Sequence, residues 1–148
     1  LLRVMPLVMA AEPPHPRIAG RRIRVGLYDP RSDRVVVKLI LPAGSDITLG
    51  GGEDATLRVP AWDEAPIRLL ASGHQLHMEP GMRVHMCHDD GEARVQVDFD
   101  GLEQRGLCTP LTITVSKVNV TLPSGRVVYL KYLTESEPDW PREGKWSD

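Results

Sequence analysis

Cysteine is nearly missing from this chain of 148 residues: only Cys87 and Cys108 occur. Two cysteines do not make the disulfide framework of a small secreted scaffold, and both are expected as free thiols in a reducing, cytoplasmic compartment. No apolar run reaches the roughly 20 residues of a membrane-spanning helix. An excess of one charge is missing too. Eighteen Lys and Arg stand against 20 Asp and Glu, a net −2, which leaves no basic footprint for a nucleic acid. The spaced signatures of common catalytic and metal sites are absent: there is no Gly-x-Ser-x-Gly, no Cys-x-x-Cys and no His-x-x-x-His. No enzymatic activity and no cofactor are therefore expected.

What is present suits one globular domain. Apolar residues make up 41% and charged residues 26%. A chain of this length buries about 70% of its unfolded surface and needs neither disulfide nor metal to be stable. Three regions are expected. Residues 1–20 open with LLRVMPLVMAAEPPHP, an apolar then proline-rich arm or linker. A signal-peptide remnant is one reading, but Pro6 breaks the apolar run and one basic residue precedes it, which favours a linker or arm that docks on the body. Residues 21–133 form the body. Residues 134–148 form a tail with five acids against two bases, read as extended or disordered, in which Trp140 and Trp146 stand out.

Helical periodicity is hard to find in the body, whereas alternation of polar and apolar residues recurs after Arg21. Short β-branched or alternating runs are punctuated by Pro30, Pro42-Ala43-Gly44, Gly50-Gly51-Gly52, Pro60, Ser72-Gly73, Asp100-Gly101 and Pro123-Ser124-Gly125. About eleven short strands result, at the spacing of an all-β sandwich or barrel, and a β-sandwich is the expected fold.

The stretch GHQLHMEPGMRVHMCH, residues 73–88, carries four of the five histidines and Cys87. It reads as two strands joined at Glu79-Pro80-Gly81, with Met78 paired to Met82, Leu76 to Val84 and His74 to Met86. That register puts Gln75, His77, Arg83, His85 and Cys87 on an outer face, with His77 and His85 about 7–8 Å apart as diagonal neighbours. His77, His85 and Cys87 are the candidate metal ligands. Arg83 among them opposes a cation, and zinc takes about four ligands; a solvated sheet face is the expected reading. The run Gly50-Gly51-Gly52-Glu53-Asp54 lacks the Lys-Ser/Thr of a phosphate loop, and its acids repel phosphate. It reads as a loop needing unusual backbone angles or as a binding loop.

The segment LPAGSDITLGGGEDATLRVP, Leu41 to Pro60, resembles the start of a forkhead-associated (FHA) domain. There a strand ends in a Gly-Arg pair, followed by a few polar residues and a short alternating strand. Here Ile47-Thr48-Leu49-Gly50 and Ala55-Thr56-Leu57-Arg58-Val59 follow that outline, and the likeness extends over Arg22 to Leu133. The resemblance implies two packed sheets and a role in protein recognition, in a bacterial-type signalling or assembly system. It does not imply phosphothreonine binding. Gly51 stands where the phosphate-contacting arginine belongs, and Asp63-Glu64-Ala65-Pro66-Ile67-Arg68 replaces the Ser-Arg-x-x-His motif. Arg58 or Arg68 is the candidate substitute, since a phosphate needs cationic donors. The candidate partner-binding residues are Gly50, Gly51, Gly52, Glu53, Asp54, Trp62, Asp63 and Arg68. Trp62 is either an exposed anchor or a core residue. A rival reading is a structural subunit that inserts the apolar arm, Leu1 to Ala11, into a neighbouring copy. Edge strands offer another route to a partner.

Overall fold

The computed structural model describes residues 13–59, 61–87, 94–98 and 110–141, of which 94–98 by backbone alone. Among them eleven strands and no helix are found, each strand inside a run expected from the alternation or within a residue of it. They are β1 (Arg22–Asp29), β2 (Arg34–Leu41), β3 (Ile47–Gly50), β4 (Leu57–Arg58), β5 (Ile67–Ala71), β6 (Gln75–Leu76), β7 (Arg83–Cys87), β8 (Arg94–Asp98), β9 (Leu111–Thr112), β10 (Lys117–Thr121) and β11 (Val127–Leu133). A six-stranded sheet runs β2-β1-β11-β10-β7-β8 and a five-stranded sheet runs β4-β3-β5-β6-β9. Every pairing is antiparallel except the short parallel pair of β3 and β4. No described helix is long and apolar enough to cross a membrane.

The inward parities of both sheets meet in one core. Ile23, Val25 and Leu27 of β1 join Val128, Leu130 and Tyr132 of β11 from one side. Ile47, Leu49, Leu69 and Leu76 enter from the other. Ile18 is buried in the same core, so the end of the N-terminal segment docks on the body. The Tyr132 hydroxyl donates to the Gly73 carbonyl at 2.9 Å and ties the sheets together. Tyr132→Phe is expected to cost about 1–2 kcal/mol in urea melts, because a buried carbonyl then loses its donor.

Two bulges explain departures from simple alternation. β3 pairs Thr48 with Arg68 and Ile47 with Leu70, so Leu69 is the extra residue and both leucines turn inward. β1 pairs Leu27 with Val37 and Tyr28 with Val35, so Val36 is extra and stands 46% exposed. This bulge interrupts the outer edge of β2 and makes it a poor template for a partner strand.

The hairpin expected from residues 74–88 does not form. β6 pairs with β5 and β9, whereas β7 pairs with β10 and β8, in the other sheet. Residues 77–82 instead cross between sheets. The Glu79 carbonyl accepts from the Met82 amide at 3.0 Å, and Gly81 takes the left-handed conformation (φ 88°). Met78 and Met82 are both buried, as in the expected register, but against the common core. Parity is the same in either arrangement, so it does not choose between a local and a distant strand partner.

The tail is also more ordered than expected. Residues Thr134 to Asp139 fold back over β1 and β11, where the carbonyls of Thr134 and Glu137 accept from Arg22 and those of Pro138 and Asp139 from Arg24. Trp146 and the apolar stretch Leu1 to Ala11 lie outside the described residues.

Candidate functional site

At one end of the molecule the β1–β2 turn, the β3–β4 loop, the β4–β5 loop and the β10–β11 turn come together. β3 delivers Gly50 here. Its carbonyl accepts from the Val59 amide at 2.9 Å, closing the loop that carries Gly51 to Thr56. Thr48 and Thr56 staple the loop base, each backbone amide donating to the other's hydroxyl at 3.2 and 3.0 Å. None of Gly50, Gly51 and Gly52 has a positive φ, so the expectation of unusual backbone angles fails. Gly51 instead packs where an added Cβ would meet the Trp62 Cβ at 3.5 Å, an ordinary contact.

A cleft of about 350 Å³ lies between this loop and β5. Gly50, Gly52 and Asp54 line one wall, and Pro66 and Arg68 the other. Glu53 is exposed at the loop tip. Arg68 is 60% exposed and within 4.0 Å of Asp46, so the cation at the cleft already faces a carboxylate. Arg58 is exposed on β4. Five of the eight expected residues therefore surround this cleft or its lip.

Trp62 and Asp63 serve a different end. Trp62 is half-buried against the core, its indole N–H donating to the Ala65 carbonyl at 3.2 Å. Arg126 lies over its ring at 4.9 Å. The Arg126 side chain is 2% exposed and donates to Glu64 at 2.7 Å and to Asp63 at 3.2 Å. That hydrogen bond holds the Asp63 carboxyl below its ordinary range. Trp62 and Asp63 thus brace the loop from within. The sequence signal for Arg126 was present: it shares the inward parity of Val128, Leu130 and Tyr132, where an arginine needs partners.

The candidate metal ligands are not brought together. His77 belongs to the five-stranded side, its amide bonded to the Leu69 carbonyl, while His85 and Cys87 sit on β7 in the other sheet. Among the described residues no three metal-ligating side chains form a group. Cys87 is a half-buried free thiol, and Cys108 lies outside the described residues. His77 Nε2 is buried without a partner, and desolvation, then the nearby Arg68, lowers its pKa. The unfolded chain then takes up this proton first, so stability is full above pH 6.5 and declines as pH falls below it. Urea melts at about pH 7.5 and 5.5 are expected to show a stability loss that His77→Leu reduces.

A second cavity, of about 540 Å³, opens at the opposite end, between Gly20–Arg22 and Leu133–Ser136. It lies where the segments flanking the body meet. No family model, no curated protein and no solved structure matches this chain.

Proposed function

We propose that the chain is a non-enzymatic protein-interaction module, an FHA-like sandwich that reads an unmodified protein partner at the end formed by the β3–β4 and β4–β5 loops. The single observation that carries this is the cleft lined by Gly50, Gly52, Asp54, Pro66 and Arg68. Eleven strands in two sheets around one core support the FHA-like part of the reading. The electrostatics support independence from phosphate. Arg68 faces Asp46, Arg126 is consumed by Asp63 and Glu64, and Asp54 lines the cleft itself. A phosphate bound here would meet carboxylates before an uncommitted arginine. The buried Arg126 brace keeps the β4–β5 loop in place, which limits the ordering cost on binding. The free thiol of Cys87 supports a reducing compartment.

Photo-crosslinking tests the reading. A crosslinking residue at Glu53, on the loop tip, is expected to capture one recurrent protein, while the same residue at Ala43, at the far end, does not. Equal yields from both positions would overturn it.

A further inference from the structure

The outer face of the six-stranded sheet holds a row of like charges. Register places Arg24 of β1 opposite Lys131 of β11, and Lys131 opposite Lys117 of β10. Like charges directly opposite one another destabilise a sheet, so three cations in line need counter-charges from elsewhere. The chain supplies them from its acidic tail. Glu137 accepts from the Lys131 ammonium at 2.8 Å, and Asp139 pairs with Arg22. Arg22 and Arg24 also bond four tail carbonyls, which buries Arg24 to 8% exposure on a face its parity directs outward. The cover stops there: Lys117, the third cation of the row, has no acidic partner among the described residues.

We infer that this row is a docking site for an acidic peptide of a partner protein, and that residues 134–139 occupy it as a built-in competitor. The seated tail displays the chemistry of the ligand. Residues 134–137 form a turn, the Thr134 carbonyl accepting from the Glu137 amide at 3.2 Å, and from it the Glu137 and Asp139 carboxylates reach Lys131 and Arg22. Carbonyl recognition by Arg22 and Arg24 does not depend on side-chain identity, so another peptide backbone following the same path supplies it; the lysines select for acids. The tail is displaceable because its ion pairs are partly solvated, with Asp139 53% exposed, and such pairs contribute little. Lys117 gives a longer acidic ligand a contact that the tail does not use. This surface is independent of the loop end described above.

The test uses the full chain, isotope-labelled, and two probes: a synthetic peptide of residues 134–148 and octaglutamate. Glu137→Gln with Asp139→Asn keeps the acceptor oxygens but removes the charges. This variant is expected to bind the peptide at least about tenfold tighter than the unsubstituted chain, with shifts at Arg22, Arg24 and Lys131 and weakening at high salt. A peptide with the substitutions Glu135→Gln, Glu137→Gln and Asp139→Asn is expected to bind at least about tenfold more weakly than the unsubstituted peptide. In the unsubstituted chain, excess octaglutamate is expected to move the Glu137 and Asp139 amide signals to their free-peptide positions, and to shift Lys117. Equal affinity of both chains, equal affinity of both peptides, or tail signals unmoved by saturating octaglutamate would each overturn the inference. So would a single-stranded oligonucleotide of equal charge that binds more tightly than the peptide.

Discussion

Arg126→Met is expected to destabilise the protein by about 3 kcal/mol, the scale for breaking a buried ion pair by removing one member. In a domain of this size that corresponds to roughly 10 °C in Tm. The arginine connects the β10–β11 turn of one sheet to the β4–β5 loop of the other through Asp63 and Glu64, and it covers the Trp62 ring. Methionine replaces the aliphatic volume but none of these bonds. Exposure decides the ranking of related variants. Asp63 is 63% exposed and can be hydrated once its partner is gone, whereas the guanidinium is 2% exposed and cannot. Removing both acids, with Asp63→Asn and Glu64→Gln, is therefore expected to cost more than removing the arginine, and the triple variant is expected to recover part of the loss. Asp63 titrates below its ordinary value because of the Arg126 hydrogen bond, so its contribution is present above pH 3.8 and fades as pH falls below it. The difference between Arg126→Met and the unsubstituted chain should narrow there. Equal stability of Arg126→Met and the unsubstituted chain at neutral pH would remove the brace from the account.

Gly73→Ala is expected to cost about 3 kcal/mol, for two reasons acting together. Gly73 has φ +71°, where a side chain crowds its own backbone. An added Cβ would also lie 2.9 Å from the Cα and N of Gly44, so one of two packed turns must move. The Gly73 carbonyl is the acceptor for Tyr132, and any shift of the turn weakens that link between the sheets. Gly44→Ala is the internal comparison. Gly44 has φ +82°, but its added Cβ would meet nothing within 4 Å. It is expected to cost only the conformational part, about 1–2 kcal/mol. Urea melts of the two variants separate close approach from backbone conformation: equal losses would leave the contact between the turns without weight.

Strand positions were legible because each strand carries its own alternation between strong breakers, from Pro30 to Gly125. Pairing was less so. β6 and β7 read as a hairpin because Met78 and Met82 flank a three-residue turn with the right parity. Their true partners include β9 and β10, which lie far along the chain, and parity alone does not rank a distant partner against a near one. Gly50, Gly52, Asp54 and Arg68 line one cleft because the β3–β4 loop and the start of β5 are neighbours through the Leu49–Ile67 pair. The contact of Trp62 and Asp63 with Arg126 was not legible, since Arg126 lies 63 residues beyond Asp63 in the chain. The tail was read as extended or disordered by composition. Its order comes from Arg22 and Arg24, whose outward parity on β1 reads as solvated until an acidic segment is folded over them.

The proposed function requires the loop end to recognise protein without phosphate. The most direct measurement is a two-dimensional NMR titration of labelled protein with a degenerate threonine peptide library, phosphorylated and unphosphorylated in parallel. The amides of Gly50 to Asp54 and Arg68 are expected to shift at least as far with the unphosphorylated library as with the phosphorylated one. Saturable shifts at those residues with the phosphorylated library alone would contradict it, and would mean that Arg68 leaves Asp46 to hold a phosphate.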